Sequence, residues 1–120
     1  MRALIVEFDA IVALDLQSTL IRLGYEDICH ACHTQDALVK VKEQCLQLII
    51  MDGFLQRAMD GIEVAQQIRK ISNAPIVYLV SHMDKDAWEK AEETIPFSYV
   101  IKPFEENELR SAIMSLTTHN

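Results

Sequence analysis

Apolar residues along this chain alternate between short unbroken runs and longer stretches in which they recur every three or four positions. The runs Ala3 to Val6, Leu48 to Met51 and Ile76 to Val80 are uniformly apolar. That is the pattern of strands buried on both faces, and such strands belong in a parallel sheet. Between them the spacing predicts helices. Ile11 to Leu23 places Val12, Leu16, Leu20 and Leu23 on one face and stops at Gly24, a natural C-cap. Thr34 to Gln44 turns Leu38 and Val41 inward, and Gly61 to Ile71, opened by Asp60 and Glu63 in capping-box spacing, faces Ile62, Ala65 and Ile68 to the core. Lys85 to Glu93 is short and polar behind an Asp84 cap, while Glu105 to Leu116 buries Leu109, Ile113 and Leu116. With a strand-like segment from Asp27 to Ala31 and a last strand ending at Lys102, the order is strand then helix, five times over. Strict alternation of this kind predicts a doubly wound α/β sandwich, with helices on both faces of a five-stranded parallel sheet.

Length and charge narrow what such a sandwich does. The 120 residues fit one domain, 1–120, with no linker, repeat or low-complexity segment. Eleven Lys and Arg against eighteen Asp and Glu leave a net charge of −7, a sign that repels nucleic acid and anionic membrane. The longest uncharged stretch, Ile71 to Met83, is broken by Pro75 and is too short for a membrane helix. Glu7 and Asp9 interrupt what would have to be the apolar core of a signal peptide, so the expected location is the cytoplasm. The three cysteines, an odd number in such a chain, are expected to be reduced. Cys29-His30-Ala31-Cys32-His33 matches the spacing of covalent haem attachment, and its ligand types also suit zinc. The motif overlaps a strand, however, and only His82 and His119 remain as further histidines, so the expectation is small buried cysteines beside solvent-facing histidines.

In parallel sheets of this class the ligand site lies beyond the carboxyl ends of the strands. The residues there are Glu7 and Asp9 after the first strand, Asp52 after the third, Ser81 after the fourth and Lys102 after the fifth. Each alone reads as a helix cap or a solvated charge. Together they bring carboxylates, a hydroxyl and an ammonium to one rim. Clustered carboxylates suit Mg²⁺, which takes one or two of them, retained waters and a phosphate oxygen, while lysine offsets the charge of a phosphoryl group. A carboxylate held between metal and ammonium can attack phosphorus and carry the phosphoryl as an acyl phosphate.

These residues resemble the receiver domains of two-component response regulators, the family of the chemotaxis regulator. The resemblance covers the whole chain. It is carried by Leu4-Ile5-Val6-Glu7, Leu48-Ile49-Ile50-Met51-Asp52, Met59-Asp60-Gly61, Pro75-Ile76-Val77-Tyr78-Leu79-Val80-Ser81 and Tyr99-Val100-Ile101-Lys102-Pro103-Phe104. It implies a flavodoxin-like (βα)5 fold with strand order 2-1-3-4-5. It further implies Asp52 as phosphoacceptor, Ser81 and Lys102 as phosphoryl-binding groups, and Ser81 with Tyr99 as the switch pair. Glu7, Asp52 and the backbone carbonyl of Phe54 become Mg²⁺ ligands, the peptide bond before Pro103 becomes cis, and the donor is a phosphohistidine on a sensor histidine kinase.

The chain departs from the family pattern in three places. Receivers carry two adjacent acids after the first strand, whereas Glu7 is followed here by Phe8, and Asp9 replaces the second acid only if the strand end bulges. Phe8 otherwise reads as an aromatic packed under its loop. The segment Gly53-Phe54-Leu55-Gln56-Arg57-Ala58 lacks the usual Pro-Gly turn and is one residue longer than in most receivers, and His82 stands after Ser81 where a small residue is usual. Two readings stay open. One is a phosphoacceptor receiver, Mg²⁺-dependent and weakened by Phe8. The other is a pseudo-receiver that works without phosphate, as an interaction module or as a homodimer through its fourth helix, fifth strand and fifth helix. A stand-alone phosphatase is disfavoured, because Phe54 occupies the position where enzymes with an aspartyl nucleophile place a second Asp. An effector or kinase domain of a longer parent protein is a further expected partner.

Overall fold

The computed structural model describes residues 1–55 and 60–117. Gln56 to Met59, in the segment that is longer than in most receivers, and His119 lie outside the described residues. Five strands, β1 (Arg2–Val6), β2 (Asp27–Ala31), β3 (Leu48–Asp52), β4 (Ile76–Val80) and β5 (Phe97–Ile101), alternate with five helices. These are α1 (Ala10–Arg22), α2 (Thr34–Glu43), α3 (Asp60–Ile68), α4 (Lys85–Glu92) and α5 (Glu106–Thr117). The strands form one sheet in the order β2-β1-β3-β4-β5, with every pairing parallel. None of the described helices is long and apolar enough to cross a membrane.

Strand alternation sends side chains to two apolar layers. Leu4, Val6, Ile49, Met51, Ile76, Tyr78 and Val80 face α2, α3 and α4, meeting Val41, Ile62, Ile68, Ala87 and Ala91. Ala3, Ile5, Leu48, Ile50, Val77, Leu79 and Val100 face α1 and α5, meeting Leu16, Leu20, Leu109 and Ile113. The central strands β3 and β4 are therefore buried along their whole length, as their unbroken apolar runs require. The helix faces expected from periodicity hold for Leu16, Leu20, Val41, Ile62, Ala65, Ile68, Leu109 and Ile113. Val12 is an exception. It is 40% exposed because, in the first turn of α1, it lines the cavity at the carboxyl ends of the strands instead of the core. The third helix ends earlier than its pattern suggests, at Ile68, and the chain then turns through Lys70 and Ile71, with Ile71 exposed.

Two polar clamps fix the ends of elements. The Arg22 guanidinium pairs with Glu106 and ties α1 to α5. Arg69, one residue past α3, donates to the carbonyls of Thr94 at 2.8 Å, Ser72 at 2.9 Å, Ala74 at 2.8 Å and Pro96 at 3.2 Å. Thr94 is fully buried, and its hydroxyl bonds the Ala91 carbonyl at 2.6 Å and the Tyr78 hydroxyl at 2.6 Å. The C-terminal end of α4 is thus held by a charge-assisted network with no carboxylate in it.

Candidate functional site

All the strand-end residues named from the sequence line one cavity of about 490 Å³ at the carboxyl edge of the sheet. Glu7, Asp9, Asp52, Ser81 and Lys102 surround it, together with Val12, Phe54, His82 and Phe104. β3 delivers Asp52 as its last residue, and β1 delivers Glu7 directly after Val6. These strands are hydrogen-bonded neighbours, so the two carboxyl groups are brought side by side. Both residues are 4% exposed. Lys102, directly after β5, reaches across β4 so that Nζ lies 2.6 Å from Asp52 Oδ1. The backbone N–H of Phe54 donates to the same oxygen at 3.0 Å.

Burial pushes the Glu7 carboxyl up to about 7, and the hydrogen bond it shares with the Asp52 side chain and the Asp52 charge push in the same direction. The backbone N–H of Asp9, 3.1 Å from Glu7 Oε2, and the Lys102 charge oppose the shift. Near neutral pH the Glu7 carboxyl therefore holds its proton for part of the time. Two neighbouring acids are the arrangement into which a divalent cation fits, displacing that proton. Hard carboxylate oxygens from Glu7 and Asp52, with Phe54 also lining the cavity, suit Mg²⁺, which binds through one or two carboxylates and keeps its remaining waters. Among the described residues no group of three acidic, histidine or cysteine side chains is placed to hold a metal.

Phe8 is 61% exposed and does not pack under its loop. β1 ends at Val6 without a bulge, its ladders to β2 and β3 running in regular register to that residue. Asp9 takes the N-cap of α1, where its Oδ1 accepts from Ile11 N–H at 2.8 Å and Val12 N–H at 3.3 Å. Asp9 lines the cavity, but one of its oxygens is committed to the helix.

Gly61 sets how closely α3 approaches the site. A Cβ there would stand 2.0 Å from the Asp52 carbonyl oxygen and 2.8 Å from Gly53 Cα, and the Gly61 N–H donates to the Gly53 carbonyl at 3.1 Å. Any side chain would push against the backbone that carries Asp52. The Asp60-Gly61 pair appears in the sequence as a helix start, and its spacing function becomes visible only in the packed structure.

Lys102 to Pro103 is a cis peptide bond, as is Ile95 to Pro96, which nothing in the sequence suggested. Tyr99 is partly exposed on β5 and meets the Trp88 ring of α4 edge-on, with centroids 6.1 Å apart. Trp88 in turn meets Phe97 at 5.5 Å, and Phe97 meets the buried Tyr78 at 5.7 Å. This aromatic row links the sheet interior to Tyr99. Its members are scattered along the chain, so no local sequence signal could have found it.

The cysteine motif contributes no residue to the lining of this cavity and, among the described residues, is not assembled into a metal-holding group. Cys32 and Cys45 are exposed and Cys29 is half-buried, all three as free thiols, which corrects the expectation that they are core residues. Ala31 is the buried residue of this segment, because it ends β2 facing α2. His33 caps α2 by accepting from Asp36 N–H at 3.3 Å, and His30 Nε2 lies 2.8 Å from the Glu7 carbonyl oxygen.

The family model described as response regulator receiver domain matches residues 3–114, and the chain belongs to that family. Among curated proteins it is 35% identical over 112 residues to the transcriptional regulatory protein PdtaR of Mycobacterium tuberculosis, covering 93% of this chain and 54% of that protein. It is 34% identical over 116 residues to the transcriptional regulatory protein YrkP of Bacillus subtilis, covering 95% of this chain and 48% of that one. The chain thus spans about half the length of the curated relatives it matches. Among solved structures it is similar to a response regulator from Chloroflexus aurantiacus, with a TM-score of 0.82, 26% identity and 98% of each chain covered. It also shares the fold of the receiver domain of a sensor histidine kinase from Pseudomonas aeruginosa, solved with a magnesium ion in its active site cleft, at a TM-score of 0.80 and 21% identity over 98% of each chain. The strand order 2-1-3-4-5 is the one shared by receiver domains of the chemotaxis-regulator type.

Proposed function

We propose that this receiver domain accepts a phosphoryl group on Asp52 from a phosphohistidine of a sensor histidine kinase. The observation that carries the reading is the 2.6 Å contact between Lys102 and a buried Asp52 that also borders Glu7. A buried carboxylate with an ammonium on one side and a second acid able to hold a cation on the other is placed to become an acyl phosphate, because the new charge would then be met by two positive groups. In the transfer an Asp52 oxygen forms a bond to phosphorus, the bond from phosphorus to the kinase histidine nitrogen breaks, and the imidazole leaves with that electron pair. Mg²⁺ bound by Glu7, Asp52 and the Phe54 carbonyl would neutralise phosphoryl oxygens. Lys102 offsets the charge from the opposite side, and Ser81, on the same cavity wall, donates its hydroxyl to a phosphoryl oxygen. The magnesium seen in the cleft of the Pseudomonas receiver domain supports the assignment of the cation.

One feature favours a second reading. Phe8 stands where a further acidic ligand is expected and is turned to solvent, while Trp88, Ile95, Tyr99, Ile101 and Met114 expose apolar surface on α4, β5, α5 and the connection between α4 and β5. Those residues suit a pseudo-receiver that dimerises or binds a partner through this face. In a longer parent protein, of which the curated relatives are examples, the output would come from an attached effector or kinase domain in the cytoplasm. Incubation with a small phosphodonor and Mg²⁺ followed by intact-mass analysis separates the readings. The first expects one phosphoryl group on the wild type and none on Asp52→Asn, and an unlabelled wild type overturns it.

A further inference from the structure

Ser81 supplies the hydroxyl that the proposed phosphoryl site needs, and in the unphosphorylated protein that hydroxyl is engaged elsewhere. Ser81 Oγ lies 3.2 Å from His82 Nδ1, and among the described residues it has no other hydrogen-bond partner. The opposite ring nitrogen, His82 Nε2, lies 3.8 Å from Asp84 Oδ2. Asp84 is itself fixed, since its Oδ1 accepts from the Ala87 N–H at 2.8 Å and caps α4. At 3.8 Å the carboxylate does not hydrogen-bond the ring, but its charge on the Nε2 side favours the tautomer protonated there, which leaves Nδ1 as the acceptor of the Ser81 O–H.

We propose that His82 is a positioning residue for phosphoryl binding: its ring, steadied by Asp84, holds the Ser81 hydroxyl in a resting orientation and must release it before Ser81 can donate to a phosphoryl oxygen on Asp52. The proposal rests on the phosphoacceptor reading and assigns a regulation of that same site. A contact made only in the resting state biases a two-state equilibrium by its own free energy. For one neutral hydrogen bond that bias is on the order of fivefold. The contact also reaches the cap of α4, so its release is felt by the helix whose Trp88 meets Tyr99. This gives His82 a task beyond bulk at the cavity mouth.

Three substitutions separate the two. His82→Leu keeps bulk without an acceptor, His82→Asn offers an amide oxygen near the position of Nδ1, and His82→Ala removes both. Each is incubated with acetyl phosphate and Mg²⁺ at a donor concentration that labels the wild type partially, and the ratio of labelled to unlabelled protein is read by intact mass. The expected result is a ratio about fivefold above wild type for Leu and Ala, with Asn returned close to wild type. Leu behaving as wild type while Ala rises means that the ring acts by bulk, and the proposal falls. Labelling with all three variants unchanged also overturns it, alone. An unlabelled wild type overturns the phosphoacceptor reading and the proposal with it. A second measurement needs no phosphorylation: ¹⁵N spectra of the His82 ring should show an Nε2-protonated imidazole whose Nδ1 signal moves in Ser81→Ala, and identical ring signals in the two proteins would overturn the proposal.

Discussion

Removing the ionisable group at Glu7 should change how stability depends on pH, in a direction fixed by the site geometry. The Glu7 carboxyl is raised from 4.5 to about 7, chiefly by burial and then by its hydrogen bond to Asp52. An acid whose folded value is raised holds its proton more tightly in the folded protein than in the unfolded chain. Its stabilising contribution is complete below about pH 4.5 and is lost as pH rises through about 7. Integrated between pH 5 and pH 8, the loss is on the order of 2–3 kcal/mol for this one group. Glu7→Gln has nearly the same shape and cannot ionise, so it escapes the loss. In chelator, urea unfolding should show the two proteins close in stability at pH 5 and the variant ahead by about 2 kcal/mol at pH 8. Groups common to both proteins titrate equally and cancel in the difference. Saturating Mg²⁺ at pH 8 should then restore the wild type and leave the variant unmoved, because binding to the folded state alone adds stability and the cation needs the ionised acid. Parallel stability curves from pH 5 to pH 8 would refute the reasoning, since they would mean that Glu7 is already ionised in the folded protein.

Three further outcomes follow from the same geometry. Phe8→Asp should tighten Mg²⁺ binding about tenfold, or roughly 1.4 kcal/mol, measured by titration calorimetry; because the Phe8 ring is 61% exposed, the change should cost little packing, and an unchanged affinity would place Asp9 or water in that coordination position. Gly61→Ala should destabilise the fold by about 1–3 kcal/mol in urea and lower the labelling of Asp52, since its Cβ would meet the Asp52 carbonyl; a neutral substitution would show that α3 can retreat without disturbing the site. Cys32 and Cys45, both exposed, should react with a thiol reagent in the native protein faster than the half-buried Cys29, and metal analysis should find no stoichiometric zinc; slow, uniform reaction would contradict their exposure.

The alternation of strands and helices was legible because each central strand is buried on both faces, which leaves an unbroken apolar run that no surface helix imitates. Leu48 to Met51 and Ile76 to Val80 announce themselves in this way, and the rule that ligands sit at strand ends then located Asp52, Ser81 and Lys102 before any contact was known. What escaped depends on directions that periodicity does not encode. Phe8 lies two residues past Val6, the last ladder residue of β1, where the pleat no longer dictates a face, and it turns to solvent. Cys32 lies one residue past β2 for the same reason, and its motif never closes on a common centre. The raised Glu7 carboxyl and its hydrogen bond to Asp52 arise between neighbouring strands far apart in the chain, and the engagement of Ser81 by His82 depends on a rotamer. Arg69 was invisible as a clamp because its partners are carbonyls, which every residue possesses.

That clamp gives α4 a lever arm. Arg69 and Thr94 pin its C-terminal end to the β4 and β5 entry points, while at its N-terminal end the Asp84 carboxylate lies 3.8 Å from the ring of His82, which lines the cavity. A helix of 8 residues is about 12 Å long, so a tilt of about 10° around the pinned end carries the other end by about 2 Å and moves the pinned end hardly at all. Trp88 lies midway along the arm, against Tyr99. A displacement of this helix that keeps those bonds would therefore be a rotation with a fixed pivot: movement imposed beside the cavity would be largest at the N-terminal turn of α4, smaller where Trp88 meets Tyr99, and least beyond the pivot, around Ile95 and Pro96.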